Sequence, residues 1–487
     1  MDSNFIRGVM LKKTRYYFLF LMVLVCVILT SCDFINSSEN DPWTIMVYMA
    51  GDNSLSEYVP LDINEMEQGL YNSRYGGNFF VNKDINILVL ADQIKSNDSK
   101  LYLIKPDSDD DDINSKQIID DSYTKSLELD MSDPDTLEEF VYYAMDNYAA
   151  DNYALIIWNH GGGAKGTSNS SIATTREVCE DDSAGGTYLY TNQIQQALND
   201  VLTEDSDNPP LDIIGFDACY MGTIEEAYEY RSLSKYFVGS MASEWGYGWD
   251  YESIFENFED DSDYPTSTEL ADLFVTQYYS STKDNSSHNF VHAMTAVDTT
   301  KLDAVKNNID NLAALIYNNG SSEYEEEFES IRAETVYPPI YNTTQAYLIY
   351  YPYYDLYDFL TRIAASSVFS SDIISTASSA LSSFSDSVIS CYGNSVNLDD
   401  YSIYNLGYNY YETADSDAVR GLTILIPAGE QTYMSKSFYD YCDWYTISEI
   451  TGEEYGGLDF CTYDDDSTVE TWRELFEAWY AGDEAEY

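Results

Sequence analysis

Two apolar segments decide the fold of this chain: Tyr153-Ala-Leu-Ile-Ile-Trp-Asn-His160-Gly161 and Leu211-Asp-Ile-Ile-Gly-Phe-Asp217-Ala218-Cys219. Each has the length and composition of a short buried strand, and each ends on a reactive side chain. In a parallel sheet the active groups collect at the carboxyl ends of neighbouring strands. We therefore expect the imidazole of His160 and the thiol of Cys219 to meet at one edge of a sheet, which indicates a cysteine nucleophile.

Predicted strands and helices alternate around these two segments. The further strands are expected at 43–50, 85–91, 101–104 and 235–242, and the helices between them at 133–148, 191–202 and 222–230. This alternation predicts an α/β fold with a mostly parallel sheet flanked by helices on both faces. Beyond about residue 300 the pattern is less regular, with helices expected at 301–317 and 354–390 and a strand at 421–427.

The first 41 residues are predicted to export and anchor the protein. Four basic residues between positions 7 and 15 precede an apolar run at 16–29, which is short for a membrane span. The run ends at Leu29-Thr30-Ser31-Cys32, which resembles a bacterial lipobox. We expect a signal peptide at 1–31, lipidation of Cys32, a polar tether at 32–41, and a membrane-anchored location in the bacterial cell envelope, periplasmic or surface-exposed. An ordinary secretory signal with an incidental cysteine is the alternative.

Composition and charge narrow the class of partner. The 487 residues are 44% hydrophobic and 22% charged, which is typical of a globular protein with a substantial core. The net charge of -62 argues against nucleic acid as a partner, because no basic stripe could replace counterions on phosphates. The same charge would attract cationic substrates. The 47 tyrosines would suit a surface that binds sugars or peptides, although most are expected to be half-buried.

The cysteine count implies a free thiol. Of seven cysteines, Cys26 lies in the predicted signal peptide and Cys32 is the predicted lipidation site. The other five are an odd number, so at least one is unpaired in an exported protein, and Cys219 is the natural candidate. The remaining four could form up to two bridges, and Cys442 and Cys461 are close enough in sequence to pair. No His/Cys cluster has the spacing of a zinc site, so no metal ligand is predicted.

The residues after the two strands also offer an oxyanion hole. A cysteine peptidase needs a thiolate, a group that manages protons, and donors for the oxyanion. His160 is one of three histidines, and the other two, His288 and His292, belong to a segment without a Gly-rich turn. The amide of Gly161 can approach a carbonyl oxygen because no side chain blocks it. We expect this amide and that of Cys219 to stabilise the oxyanion.

Four blocks of sequence carry a family resemblance. They are Trp43-Thr-Ile-Met-Val-Tyr-Met-Ala-Gly-Asp-Asn53, Ile156-Ile-Trp-Asn-His-Gly-Gly-Gly163, Ile214-Gly-Phe-Asp-Ala-Cys-Tyr-Met221 and Ser243-Glu-Trp-Gly-Tyr-Gly-Trp249. Together they resemble the clostripain-like cysteine peptidases, with the wider caspase-like, legumain and gingipain fold behind them. The resemblance implies a caspase-like peptidase domain at 42–300, which the region 301–487 completes or flanks. It also implies a dyad of His160 and Cys219 without an obligatory third member.

The resemblance further implies cleavage after basic residues, because the family places an acid in its primary specificity pocket. Asp217 matches that acid, and a carboxylate there would pair with Arg bidentately or with Lys as a point charge. Glu244 is expected as a second pocket acid, with Trp245 or Trp249 as a wall. The family more often has an acid where Gly246-Tyr247-Gly248 stand, so the same dyad with a different preferred residue is one alternative.

Two more properties come with the resemblance. Family members are often zymogens that are cut between the histidine and the cysteine, and the loop predicted at 161–190 contains two basic residues, Lys165 and Arg176, as candidate self-cleavage sites. Some members use calcium, for which the sequence assigns no site. An alternative of another class is a non-catalytic, tyrosine-rich surface lipoprotein that binds peptides or glycans. The intact His-Gly and Ala-Cys blocks favour the peptidase.

Overall fold

The segments that precede His160 and Cys219 form neighbouring strands of a large central sheet. The strands are β1 (Asp41–Gly51), β2 (Asn86–Gln93), β3 (Lys100–Leu103), β4 (Lys116–Ile118), β5 (Ala150–Trp158), β6 (Val178–Asp181), β7 (Thr187–Leu189), β8 (Leu211–Asp217), β9 (Ser234–Ser240), β10 (Ala293–Asp298), β11 (Tyr353–Asp355), β12 (Val388–Gly393) and β13 (Thr423–Leu425). Nine of them form the sheet in the order β12-β10-β9-β8-β5-β1-β2-β3-β4, while β11 pairs with β13 and β6 with β7.

This computed structural model describes residues 41–76, 85–109, 112–120, 122–123, 127–163, 178–202, 209–258, 264–282, 292–318, 322–336, 353–393, 420–426, 458–461 and 468–480. The predicted signal peptide, Cys32 and most of the tether lie outside these residues. The chain divides after Asp41, and Pro42–Tyr487 forms one compact unit. In the described part, no helix combines the length and the apolar composition that a bilayer crossing requires.

Helices cover both faces of the sheet. They are α1 (Val59–Gly76), α2 (Pro134–Asn147), α3 (Thr191–Val201), α4 (Ile224–Glu229), α5 (Tyr251–Phe255), α6 (Ser267–Thr282), α7 (Leu302–Asn318), α8 (Ser322–Glu334), α9 (Leu356–Ala365), α10 (Ser371–Ser387) and α11 (Trp472–Tyr480), with short 3-10 helices at Thr299–Lys301 and Asp459–Cys461. Alternate residues of β1 show the two layers. Ile45 and Val47 pack with α1, α5 and α6, whereas Met46 and Tyr48 pack with α2, α3 and α7.

The sheet is parallel at its centre and antiparallel towards its edges. Strand pairs β1–β2, β5–β8 and β8–β9 are parallel. The pairs β2–β3, β3–β4, β9–β10 and β10–β12 are antiparallel. The connection from β2 to β3 is too short for a parallel crossover, which needs about a dozen residues or more. The predicted parallel arrangement is therefore confirmed for the strands that carry the reactive residues, and it fails at the edges.

Two predicted elements differ from the structure. The helix expected at 354–390 is divided into α9 and α10, because Ser366 ends α9 and Ser370 caps α10, and its last residues form β12. Strand β12 pairs with β10, so the region beyond residue 300 adds a strand to the central sheet. The loop expected at 161–190 contains the hairpin of β6 and β7 in its described part.

Candidate active site

The strand register brings His160 and Cys219 to the same edge of the sheet. Trp158 ends β5 and is paired with Asp217, which ends β8, so each reactive residue follows this pair by two positions. The amide of Asn159 donates to the carbonyl of Asp217 at 3.3 Å, which extends the pairing by one residue. His160 and Cys219 are both partly exposed and line one pocket of about 380 Å³.

Gly161 is held tightly against the segment that carries the thiol. A methyl group on its Cα would overlap the carbonyl oxygen of Cys219 and would lie 3.0 Å from the Cys219 amide nitrogen and 3.0 Å from the Cβ of Ala218. Only glycine allows two backbones to approach this closely. The two residues predicted to supply the oxyanion donors are therefore adjacent.

The chain turns sharply after Cys219. Tyr220 has a φ of 62°, in the left-handed region that non-glycine residues rarely adopt. Its amide donates to the carbonyl of Ala242 at 2.9 Å, and its hydroxyl lies 2.5 Å from the hydroxyl of Ser243. These bonds hold a strained turn of the kind that occurs at functional sites.

The sulfur of Cys219 contacts the segment that follows β9. The Glu244 amide donates to Sγ at 3.1 Å, and Sγ lies 3.7 Å from the Glu244 carbonyl oxygen. Burial raises the pKa of the thiol to about 11; the Glu244 amide opposes this shift and the charge of Asp217 adds to it. The thiol is therefore neutral in the free protein, and a base would have to remove its proton before it could act as a nucleophile.

The imidazole of His160 contacts a residue that was not predicted from the sequence as part of the site. Ser54 Oγ lies 2.8 Å from His160 Nε2. Ser54 lies three residues beyond the end of β1, which is the neighbour of β5 in the sheet. Residues that follow the strands of a parallel sheet collect at its active edge. The position of Ser54 shortly after a predicted strand could therefore have identified it as a candidate site residue.

Two carboxyl groups border the pocket. Asp217 is 4% exposed and accepts hydrogen bonds from the Trp249 amide at 3.2 Å and the Tyr251 hydroxyl at 2.8 Å. Burial raises the pKa of Asp217 to about 6. Burial, reinforced by the charge of Asp217, raises the pKa of Glu244 well above its ordinary value. The acid pair, Asp217 and Glu244, therefore holds one proton near neutral pH and carries about one negative charge.

The two tryptophans named from the sequence have different roles. Trp245 lines the pocket, and its ring stacks on Tyr247 with 6.5 Å between the centroids. Trp249 is fully buried and packs on Phe274 at 4.7 Å between centroids, so its ring belongs to the core and its amide supports Asp217. Of the two, Trp245 is the one that lines this pocket.

One histidine that was not predicted as a site residue also lines the pocket. His292 borders it, with Nδ1 2.9 Å from the Tyr278 hydroxyl. Lys165, Arg176, His288 and Cys442 lie outside the described residues.

Comparisons with known proteins match the chain to one family and one fold. The model of the clostripain family matches residues 47–479. Clostripain from Hathewaya histolytica is 28% identical over 502 residues, which cover 91% of this chain and 88% of clostripain. An inactive zymogen of a C11 protease from Parabacteroides distasonis aligns with a TM-score of 0.57 and 20% identity over 86% of this chain and 97% of its own. A secreted C11 cysteine protease from Bacteroides thetaiotaomicron, in complex with an irreversible peptide inhibitor, aligns with a TM-score of 0.54 and 21% identity over 82% and 96%.

Proposed function

Because the chain belongs to the clostripain family and is a cysteine-type endopeptidase, we propose that it cleaves peptide bonds after arginine or lysine through a dyad of His160 and Cys219. The observation that carries this proposal is a single pocket lined by the imidazole, the thiol and the acid pair. A thiol and an imidazole supply nucleophile and base, and the acid pair supplies the charge that a basic side chain needs.

The reaction begins with a proton transfer. The thiol is neutral in the free enzyme, so His160 takes its proton and the resulting thiolate attacks the carbonyl carbon of the scissile bond. A carbon–sulfur bond forms while the electrons of the carbonyl double bond move to oxygen. The amides of Gly161 and Cys219 donate to this oxyanion. The Glu244 amide, 3.1 Å from Sγ, stabilises the thiolate before it attacks.

The same histidine completes the cycle. Its imidazolium gives the proton to the leaving amine as the carbon–nitrogen bond breaks, and a thioester remains on Cys219. Water then attacks the thioester with His160 as the base, which releases the acid product and restores the thiol. Ser54 orients the ring through its 2.8 Å contact with Nε2.

Electrostatics supports the preference for basic residues. The acid pair carries about one negative charge near neutral pH, which matches one guanidinium or ammonium group. A buried carboxylate without a counter-charge is unfavourable, so binding in the pocket stabilises a cationic side chain more than a neutral one. The net charge of -62 attracts basic substrates from a distance.

We also propose that the enzyme processes itself at Lys165 or Arg176. Both are basic, and both lie between the histidine and the cysteine in a segment rich in Gly, Ser and Thr. Gel analysis of the active protein beside the Cys219→Ala variant tests this: cleavage into two fragments should need Cys219. Two fragments from both proteins would argue against self-processing.

A lipid anchor at Cys32 is a further proposal. It rests on the apolar run that ends at Leu29-Thr30-Ser31-Cys32, and it places the enzyme on a membrane of the bacterial envelope. Labelled palmitate should enter the expressed protein and should not enter the Cys32→Ser variant. Labelling that survives this substitution would reject the anchor.

A panel of fluorogenic peptides that differ only at the residue before the scissile bond tests the main proposal. The panel contains Arg, Lys, norleucine, Asn and citrulline, which keeps the shape of Arg without its charge. We expect kcat/KM for Arg and Lys to exceed that for citrulline at least ~30-fold, because the loss of one partner of a buried charge pair costs about 2–5 kcal/mol. Faster cleavage after a neutral residue would support the same dyad with a different preference. Folded protein that cleaves none of the peptides would contradict the proposal.

A further inference from the structure

Three buried aspartates from separate segments converge beside the active site. Asp52 follows β1, Asp92 lies near the end of β2 and Asp181 ends β6. Their exposed fractions are 1%, 0% and 1%. One carboxylate oxygen from each lies within 4.8 Å of the others. Three carboxylates that are packed together out of water repel each other, so this aspartate cluster needs a compensating positive charge.

The hydrogen bonds of the cluster leave oxygens without donors. Asp52 Oδ2 accepts from the Ser183 amide at 3.1 Å, and Asp92 Oδ1 accepts from the Ser99 hydroxyl at 2.6 Å. The other oxygens, Asp52 Oδ1 and Asp92 Oδ2, are fully buried and accept no hydrogen bond from a described residue. Buried polar atoms are nearly always satisfied, so two exceptions in one cluster indicate a ligand.

No described residue supplies a positive charge to the three aspartates. Within the described ranges, no lysine or arginine forms an ion pair with any of the three aspartates. The three buried carboxylates therefore lie within 4.8 Å of one another without a cationic partner among the described residues.

We propose that Asp52, Asp92 and Asp181 bind a calcium ion. Ca²⁺ takes six to eight oxygen ligands at about 2.3–2.6 Å, so two ligands of one ion lie at most about 5 Å apart. The 4.8 Å spread of the three oxygens fits this limit. A donor set of carboxylates suits a hard cation better than zinc or copper. These three aspartates are far apart in the chain, so local sequence pattern does not indicate the site.

The ion would also fix the segment that holds the catalytic histidine. Asp52 stands two residues before Ser54, whose hydroxyl contacts His160. The carbonyl of Asp52 accepts from the amide of Asp182 at 2.8 Å, so this segment is already joined to the end of β6. Calcium bound by Asp52 and Asp181 would tighten that connection. This consequence rests on the proposed function, whereas the binding itself does not.

Calcium titration of the full chain carrying Cys219→Ala tests the site without any need for activity. The protein is stripped with a chelator, and Ca²⁺ binding is measured by calorimetry, together with Tm and hydrogen exchange of the peptides that cover residues 51–58. Asp92→Asn and Asp52→Asn are the test variants. Asp355→Asn is the matched control, because Asp355 is also fully buried with one unpartnered oxygen but caps α9 instead.

We expect a saturable calcium site in the parent and in Asp355→Asn, with a higher Tm and slower exchange at 51–58 when calcium is bound. Asp92→Asn and Asp52→Asn should weaken binding at least tenfold and lose both responses. In chelator they should melt at or above the parent Tm, because a repelling charge is gone, which shows that they fold. No saturable binding, or binding that survives both substitutions, would overturn the site. A calcium-induced rise in Tm with unchanged exchange at 51–58 would overturn the connection to Ser54.

Discussion

Trp158 and Asp217 lie opposite each other on the parallel strands β5 and β8, and His160 and Cys219 each follow a member of this pair by two residues. The distance between the two reactive groups is therefore set by strand register and not by flexible loops. A slip of one residue in a strand reverses the side of every side chain, and the buried faces of β5 and β8 prevent such a slip. The sheet thus provides a rigid support for the proposed dyad.

Asp217→Asn is expected to remove most of the selectivity for basic residues. The kcat/KM for an Arg peptide should fall about 100-fold or more, because a charged partner of a buried pair is lost. The kcat/KM for the matching citrulline peptide should change only a few-fold. Glu244→Gln is the control. Glu244 holds the proton of the acid pair, so the side-chain amide of Gln mimics its protonated state, and kcat/KM for the Arg peptide should fall less than ~10-fold. A larger loss in Glu244→Gln than in Asp217→Asn would reverse the assignment of the charge.

Selectivity should also depend on pH. The pKa of Asp217 is about 6, so its carboxyl group becomes neutral as the pH falls through that value and can no longer pair with a cation. The ratio of kcat/KM for Arg to that for citrulline should therefore decrease below pH 6 and level off above about pH 7. Using the ratio cancels the titration of the dyad, which both substrates share. A ratio that stays constant from pH 5 to 8 would show that Asp217 does not recognise the substrate charge.

Gly161→Ala should inactivate the enzyme without unfolding it. Its methyl group would overlap the Cys219 carbonyl, so the two proposed oxyanion donors would move apart. Removal of one such donor costs about 10²–10³ in kcat, and we expect at least that loss. Gly69→Ala is the control, because its methyl group would lie 2.7 Å from the Glu252 carbonyl oxygen, away from the site. That variant should melt earlier yet keep its activity per folded molecule. Near-normal kcat in Gly161→Ala would refute the oxyanion assignment.

Ser54→Ala should lower kcat with little change in KM. The lost hydrogen bond to His160 is worth about 1 kcal/mol, which predicts a decrease in kcat of roughly fivefold. Ser54→Thr keeps the hydroxyl and should restore most of the rate. Ser56→Ala is the control: the Ser56 hydroxyl accepts from the Ile94 amide, so its removal should not change kcat. If Ser54→Ala raises KM and leaves kcat unchanged, Ser54 contacts the substrate and does not orient the base.

The protein should be most stable in mildly acidic solution. Burial raises the pKa of Glu226 to about 8, and burial together with the charge of Asp459 raises that of Glu229 to about 8. Folded protein therefore binds protons that unfolded protein, with ordinary carboxyl pKa values, has already lost. The free energy of unfolding decreases as the pH rises from about 5 to 9. Melting of Cys219→Ala in chelator should show a Tm several degrees higher at pH 5.5 than at pH 8.5.

A matched pair of variants checks the cause of this slope. Glu226→Gln cannot ionise, so its Tm should fall less between pH 5.5 and 8.5 than that of the parent. Glu269→Gln changes a carboxyl group whose pKa is lowered by hydrogen bonds from Thr266, so it should leave the slope unchanged. Equal slopes in Glu226→Gln and the parent would show that this buried acid does not titrate in the window.

Local pattern was enough to predict the fold class and to name the two residues of the proposed dyad. The strands that precede His160 and Cys219 are continuous apolar runs, buried along most of β5 and all of β8, and such runs show in the sequence. Gly161 could be named because it follows the first of these strands, whereas Asp217, the last residue of β8, was named because the family resemblance implies an acid in the specificity pocket. The helix at 302–318 was expected within one residue of its ends. These are features in which each residue is constrained mainly by its neighbours in the chain.

Other features depend on contacts between distant segments. Ser54 reaches His160 only because β1 lies beside β5, and the aspartate cluster joins positions 52, 92 and 181. The edge strand β12 lies within a run that suggests a single helix, and its pairing with β10 decides its conformation. Asp217 and Glu244 share a proton because both side chains are buried. The periodicity of the sequence predicts the burial of a single residue only coarsely. Sequence alone does not contain these distances.

Labelling by an arginyl acyloxymethyl ketone, mapped by mass spectrometry, tests the dyad most directly. We expect one label per molecule, attached to Cys219. The label should be absent from Cys219→Ser, and the rate of labelling should be at least ~100-fold lower in His160→Ala. Prior incubation with an Arg peptide should slow the reaction. Attachment of the label to another cysteine, or an unchanged rate in folded His160→Ala, would contradict the pairing of this imidazole with this thiol.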